Sequence, residues 1–191
     1  MVRVDEFTAG IPGPPERAAY EGSTDPAEAR ARQLDAIGKA AFNNVRAYAN
    51  CCRSTLWALT THLDLDGADS LKASSSLAGG IAGTGETCGA VLGALMAIGL
   101  ACGPDHPTHS DAPSRTAAAR FVERFTERFE STRCYGVQDA AVGWHVDDSS
   151  RLPEWIAAGG PIACAGACAE AARIAAEILL DRADDASIKA H

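Results

Sequence analysis

The 191-residue sequence has few basic residues and few aromatic residues. Its 17 lysines and arginines are outnumbered by 25 aspartates and glutamates, which gives a formal net charge of −8, and aromatic residues make up 6% of the chain. Binding to nucleic acid or to anionic lipid depends on clustered basic side chains. The composition therefore argues against both as partners.

Long apolar runs are also missing. The longest, Ala90 to Cys102, covers about 13 residues and is interrupted by Gly93 and Gly99, whereas a membrane-spanning helix needs about 20. The first residues of the chain contain no apolar segment of the kind found in export signals. We therefore expect a cytoplasmic protein without a membrane partner.

The motifs of several common catalytic and cofactor sites are absent from the sequence. It contains no Gly-x-Ser-x-Gly, no phosphate loop ending in Gly-Lys-Ser/Thr, no His-Glu-x-x-His and no Cys-x-x-Cys-His. Gly83-x-Gly85 resembles the start of a dinucleotide fingerprint, but the third glycine of that pattern would fall on Cys88 and no βαβ pattern surrounds it. We expect neither a bound nucleotide nor haem.

Helical periodicity dominates the rest of the chain. Phe121, Phe125 and Phe129 recur every four residues, as on the buried face of a helix, and segments that alternate with period two are scarce. A chain of this length that is 47% hydrophobic can form one core without disulfides or metals. The sequence predicts an all-α, single-domain helical bundle.

The predicted bundle occupies residues 25–185, between a Pro- and Gly-rich arm at 1–24 and a tail at 186–191. Asp25 and Pro26 have the form of a helix start. The helical pattern then continues to about Leu63, and a single helix of that length would extend about 57 Å. We therefore expect a break near Gly38 or Asn43-Asn44.

A glycine-rich loop at residues 79–85 is predicted to precede a central apolar helix, Glu86 to Cys102. The segment from Cys134 to about Gly160 is predicted to be a loop, after which Pro161 begins a last, alanine-rich helix. These two helices would form the middle and the end of the bundle.

The seven cysteines are the most informative residues. Their odd number and the expected reducing compartment argue against a disulfide framework, which favours metal binding or redox chemistry. They fall on different predicted helices or helix ends, so any site built from them would be tertiary: Cys51, Cys52, Cys88, Cys102, Cys134, Cys164 and Cys168. Buried packing as small apolar residues is the alternative for several of them, above all Cys52 and Cys102.

Cys88 has the most suggestive position. It is predicted to lie two residues inside the central helix, where unpaired backbone N–H groups and the positive end of the helix dipole favour a thiolate. We therefore expect a lowered thiol pKa. One face of the same helix carries small residues that would let a helix, a cofactor or a second subunit approach closely, so a homodimer is one expected assembly: Gly85, Gly89, Gly93, Ala97 and Ala101.

The string from Gly79 to Ala94, GGIAGTGETCGAVLGA, resembles the signature of the family named for its C_GCAxxG_C_C cysteine pattern, whose name states a suspected redox activity. Asn50-Cys51 followed by Thr55-Leu56 is similar to the segment around the family's first cysteine. The segment from Phe125 to Cys134, and the string CAEAARIAAE that begins at Cys168, are similar to the segments around the third and last. The resemblance covers about residues 41–180.

Carried over by position, the four cysteines of the family correspond to Cys51, Cys88, Cys134 and Cys168, with Cys52 and Cys164 as competitors for the first and last places. Here Cys-Gly-Ala stands where the family name has Gly-Cys-Ala. A related part of the split-Soret cytochromes implies an iron–sulfur centre. The resemblance therefore implies these cysteines as ligands of a [2Fe-2S] or [4Fe-4S] cluster.

We interpret the chain as a redox protein that transfers electrons with a partner protein or acts on a small molecule as an oxidoreductase. The cofactor-binding residues expected beside the cysteines are Gly83, Gly85 and Gly89, whose loop N–H groups would donate to the cluster. A metal-free dithiol site and a zinc or copper site remain alternatives. Asp105, His106, His109 and Asp111 offer a weaker second metal site, which we interpret as solvated loop residues.

Overall fold

The computed structural model describes residues 25–189, with side chains as far as Arg182. This part of the chain contains eight α-helices and no β-strand, which confirms the predicted all-α class. The helices are α1 (Pro26–Tyr48), α2 (Cys51–Leu63), α3 (Ala68–Ala73), α4 (Gly89–Cys102), α5 (Ala112–Phe129), α6 (Cys134–Val142), α7 (Leu152–Ala157) and α8 (Gly160–Lys189). The arm at 1–24 lies outside the described residues, and α8 continues past the boundary placed at residue 185.

Helix α8 lies at the centre of the bundle, where it packs against α1, α2, α4, α5 and α6. Its inward positions are mostly alanine, and Ala165, Ala171, Ala172 and Ala175 have no exposed surface. Small side chains on a central helix let five neighbours approach it closely. The larger apolar volume comes from the surrounding helices, including Phe121 and Phe125 of α5, which are fully buried as their spacing predicts.

The break between α1 and α2 lies at Ala49, later than the predicted positions near Gly38 or Asn43. Ala49 adopts a left-handed conformation with φ of 50°, and Asn50 then caps α2 by accepting a hydrogen bond from the Arg53 N–H at 3.0 Å. Gly38 lies within α1, and the guanidinium of Arg173 fills the space where its side chain would lie.

Helices α2 and α4 approach each other closely at the small-residue face of α4. A methyl group added at Gly93 would lie 2.4 Å from the Cys52 carbonyl oxygen. One added at Gly89 would lie 2.2 Å from Cys51 Sγ. Much of the face that the sequence offered to another helix, a cofactor or a second subunit is therefore taken up by α2 of the same chain.

Two segments differ from the predicted order of elements. The central helix begins at Gly89, three residues later than predicted. The segment predicted to be a loop after Cys134 contains α6 and α7, because Gly143 ends α6 with φ of 84° and the short apolar stretch around Trp155 forms α7. This correction matters for the site, since Cys134 becomes the first residue of a helix.

None of the described helices is both long and apolar enough to cross a bilayer.

The tight contact at Gly93 predicts opposite effects for two alanine substitutions on α4. Gly93→Ala places a methyl group against the α2 backbone and should lower the free energy of unfolding by about 1–3 kcal/mol. Gly99→Ala meets nothing within 4 Å and should raise it by about 0.5–1 kcal/mol, since alanine is the better helix former. Urea unfolding of both variants measures the difference, and equal stabilities would contradict the close approach of α2 and α4.

Candidate functional site

Five of the cysteines converge at one end of the bundle, and we call Cys51, Cys88, Cys134, Cys164 and Cys168 the thiol cluster. Each comes from the amino-terminal part of a helix. Cys51 is the first residue of α2, Cys88 is the N-cap of α4, Cys134 is the first residue of α6, and the last two lie in the first turns of α8. Burial is extensive: Cys88 and Cys134 are 6% exposed and Cys168 is fully buried.

The sulfur atoms lie near enough to influence one another electrostatically. Burial, with a smaller contribution from negative charge on Cys134 and Cys51, raises the pKa of Cys164 to about 12. Burial is also the largest cause of the raised pKa of Cys134 and Cys168, and charge on Cys51 acts in the same direction on both. The structure thus brings the four cysteines carried over from the family together with Cys164, the competitor for the last place, and leaves Cys52 outside.

A short antiparallel pairing between two segments of the chain holds Cys88 beside Cys134. Thr87 and Arg133 form an isolated antiparallel bridge. The Cys88 N–H donates to Thr132 O at 2.8 Å, and the Cys134 N–H donates to Glu86 O at 2.6 Å. The backbone of the glycine-rich loop is therefore tied directly to the start of α6.

Two glycines make room for the thiol cluster. Cys51 Sγ occupies the position next to Gly89 where a side chain would clash, and a side chain on Gly80 would lie 2.6 Å from Cys134 Cβ. Gly80 was not among the residues predicted from the sequence. The sequence around Gly80 gives no sign of a contact with Cys134, which lies 54 residues later.

The three glycines expected to bind a cofactor, Gly83, Gly85 and Gly89, lie at different distances from the thiol cluster. The N–H groups of Gly83 and Gly85 donate within the loop, to Ala78 O at 3.1 Å and to Gly79 O at 3.1 Å. Gly83 is exposed, and Gly85 packs against the ring of Tyr135. Of the three, Gly89 is the one that contacts a cluster cysteine.

Two polar side chains that were not predicted as site residues from the sequence face the sulfurs. Gln138 is buried, its Nε2 donates to Cys134 Sγ at 3.4 Å, and its Oε1 accepts from the Val146 N–H at 3.1 Å. Thr55 is fully buried beside Cys168, whose pKa it lowers, yet its hydroxyl has no hydrogen-bond partner of normal geometry. Each lies four residues after a cluster cysteine on the same helix.

The predicted low pKa of Cys88 is wrong. Burial raises the pKa of this thiol above its ordinary value, and charges on Cys51 and Cys134 raise it further, while the backbone N–H of Ala90 lowers it only in part. Loss of hydration at a nearly fully buried sulfur outweighs the local field at the start of α4. An uncharged thiol is therefore the stable form at neutral pH.

Cys52 and Cys102 lie apart from the thiol cluster. Cys52 points into the core, where its Sγ lies 4.0 Å from Met96 Sδ, and burial raises its pKa to about 12. Cys102 is the last residue of α4, at the end opposite Cys88. The sequence analysis interpreted both as packing residues.

The loop histidines are exposed. The rings of His106 and His109 lie 5.7 Å apart between centroids and are tilted by 54°, and His106 Nδ1 lies 2.8 Å from the Thr108 hydroxyl. Across the described residues, no three His, Cys, Asp or Glu side chains form a group that could hold a metal ion.

The tip of the glycine-rich loop is strained. Five consecutive residues, 79–83, have positive φ values, including Ile81 at 61° and Ala82 at 55°. Residues with a Cβ rarely adopt this conformation, which costs about 1–2 kcal/mol each. Both side chains are exposed, so no buried contact of their own offsets the cost.

Comparison with known proteins gives one match. The model of the family described as "Putative redox-active protein (C_GCAxxG_C_C)" matches residues 49–178, which include the whole thiol cluster. Neither the curated proteins nor the solved structures contain a match.

The raised pKa values predict slow alkylation of the cluster thiols in the reduced, metal-free protein. At pH 8 we expect Cys164 to react with iodoacetamide at least about tenfold more slowly than Cys102, because the thiolate is the reactive form and a pKa near 12 leaves little of it. The rate should rise steadily as the pH is raised toward 11. Peptide mass spectrometry measures both rates, and equal rates at pH 8 would contradict the described burial.

The strained loop predicts that Ala82→Gly stabilises the protein. Removing the Cβ relieves the left-handed conformation, and after the entropy cost of glycine the free energy of unfolding should rise by about 0.5–1 kcal/mol. Ala119→Gly, on the exposed face of α5, is the matched control and should lower it by about the same amount. Thermal unfolding of both variants tests the left-handed conformation of Ala82. A lower unfolding temperature for Ala82→Gly than for Ala119→Gly would contradict it.

Proposed function

Because the chain belongs to the C_GCAxxG_C_C family, we propose that it is an electron-transfer protein that binds an iron–sulfur cluster through Cys51, Cys88, Cys134 and Cys168. The observation that carries the proposal is the convergence of five thiols, three of them buried and two half-buried, at the starts of α2, α4 and α6 and on one face of α8. Thiolate sulfur is the ligand that iron–sulfur clusters take from proteins.

The fields of the helices suit a negatively charged occupant. Backbone N–H groups at a helix start have no partner within the helix, and the aligned peptide dipoles place partial positive charge there. Cys51, Cys88 and Cys134 each stand at such a start, in α2, α4 and α6. Four thiolates with bound iron carry net negative charge, which these helix ends stabilise.

The raised pKa values support a metal-bound site over a free dithiol. A thiol that attacks a disulfide needs a thiolate at neutral pH, but burial and neighbouring sulfurs hold Cys88, Cys134, Cys164 and Cys168 in the protonated form. A bound metal cation removes this difficulty because it displaces the protons from its thiol ligands. The metal-free dithiol alternative is correspondingly less well supported.

The donor set around the sulfurs fits a cluster. The Thr55 hydroxyl is buried without a partner beside Cys168, and a thiolate there would accept its hydrogen. The Gln138 amide already donates to Cys134 and is held in place by the Val146 N–H. Hydrogen bonds to ligand sulfur raise the reduction potential of a cluster, so these two residues would orient the ligands and tune the potential.

Bound in this site, an iron–sulfur cluster would accept and release single electrons.

Cys164 is one turn from Cys168 on α8 and lies in the same cluster. We assign the fourth ligand to Cys168 because it is the fully buried member and has the Thr55 hydroxyl beside it. The half-buried Cys164 then stands at the edge of the site. All seven cysteines are free thiols in the structure, as a reducing compartment such as the cytoplasm would keep them.

Anaerobic purification tests the proposal. Absorbance in the visible range, iron content and acid-labile sulfide are measured on the same sample of the wild-type protein. Serine substitution at Cys51, Cys88, Cys134 or Cys168 should remove at least about half of the iron and the colour together, because each variant lacks one ligand. Cys102→Ser is the matched control and should retain both.

Two results would overturn the proposal. A wild-type protein that stays colourless after reconstitution with iron and sulfide under anaerobic conditions would show that the site does not hold a cluster. Loss of iron from Cys102→Ser as complete as from Cys88→Ser would show that the loss reports general instability. Retention of iron by Cys168→Ser with loss from Cys164→Ser would move the fourth ligand to Cys164.

A further inference from the structure

A second concave surface lies on the other side of α8 from the thiol cluster. It is a groove of about 670 Å³ between α1, the end of α5, α6 and α8, a size within the usual range for small-molecule sites. Gly166 and Ala167 of α8 form part of its wall, and the rings of Phe42 and Phe129 line it from α1 and α5. Gly166 and Cys168 point to opposite sides of α8, since two residues turn about 200° around a helix.

An arginine guanidinium lies over each of the two phenylalanine rings of the groove. The Arg128 guanidinium lies 5.5 Å from the centroid of the Phe129 ring, and the Arg46 guanidinium lies 5.7 Å from the centroid of the Phe42 ring. Neither arginine forms an ion pair with a carboxylate in the part of the chain that the structure describes. Most other arginines in that part do, including Arg30, Arg124 and Arg133.

The remaining charges at the groove largely cancel. Lys39 pairs with Asp35 at 2.6 Å, and the Arg173 guanidinium lies 3.6 Å from Asp35 and 3.8 Å from Glu170. Among the side chains that line the groove, the excess positive charge therefore belongs to Arg128, while Arg46 lies beside the groove over the Phe42 ring. An excess of this sign is unusual on a protein whose formal net charge is −8.

We propose that this groove binds a small organic anion with a flat apolar body, of the aromatic carboxylate class. A guanidinium pairs with a carboxylate through two parallel hydrogen bonds, and Arg128 lines the groove with that capacity unused. The half-buried Phe42 offers ring surface for an aromatic body, and Gly166 leaves open space at the wall formed by α8, because a side chain there would meet nothing within 4 Å. The site does not depend on the thiol cluster or on iron.

Titration with 4-(trifluoromethyl)benzoate, followed by fluorine NMR of the probe, tests the proposal on the full-length protein. We expect saturable binding with a dissociation constant of about 1 mM, the affinity usual for a molecule of this size. The uncharged analogue 4-(trifluoromethyl)benzamide should bind at least about fivefold more weakly. Arg128→Gln should weaken binding of the benzoate by a similar factor, since it removes the charge and keeps the length.

Gly166→Leu fills the groove and should abolish binding. Its matched control is Gly99→Leu, which makes the same change at a helical glycine of α4 that also has nothing within 4 Å. Both variants should unfold at or above the wild-type temperature, because leucine is the better helix former, and Gly99→Leu should bind as the wild type does. Arg120→Gln, on the outer face of α5, controls for the general loss of positive charge.

Three outcomes would overturn the proposal. They are absence of saturable binding at several millimolar probe, equal affinity for the benzoate and the benzamide, and unchanged binding to Gly166→Leu. Iron content does not enter these measurements, so a failure here leaves the proposed electron-transfer function standing, and the reverse also holds.

Discussion

The contact between α2 and α4 at Gly89 and Gly93 is the constraint on which the site depends. Because these positions lack a Cβ, the start of α2 lies directly against the start of α4, with Cys51 Sγ beside Gly89 and the Cys52 carbonyl beside Gly93. The bridge between Thr87 and Arg133 then fixes α6 to the same place. Helix α8, narrow because of its alanines, passes close enough to add two more sulfurs. Small residues thus allow the starts of α2, α4 and α6 to converge on one face of α8.

Three of the four helices of the site, α2, α6 and α8, share one local arrangement. A cluster cysteine is followed four residues later on the same face by a second polar or thiol side chain. Cys51 is followed by Thr55, Cys134 by Gln138, and Cys164 by Cys168. Four residues are about one helical turn, so each pair points into the same space. The fold therefore supplies the sulfurs together with two donors beside them, through the same helical spacing.

How far the sequence predicts this arrangement depends on where local signals are strong. The phenylalanine stripe of α5 and the N-cap at Asp25 are local features, and the structure contains both. The break at Ala49 had no such sign, because alanine seldom takes the left-handed conformation and the more obvious candidate, Gly38, serves to make room for Arg173. The role of Gln138 could not be predicted while residues after Cys134 were assigned to a loop, since a spacing of four has no meaning outside a helix. The raised pKa of Cys88 depends on tertiary burial, which the start of a helix does not predict.

The protonated thiols form part of the hydrophobic core. An uncharged thiol packs as a small apolar group, so Cys88, Cys134 and Cys168 extend that core. The core is large, with Phe121 and Phe125 fully buried, so the fold has a source of stability besides any bound metal, unlike a zinc finger. Under the proposed function, iron replaces the thiol protons in a structure that is already folded. The free energy of binding is then not needed to fold the chain.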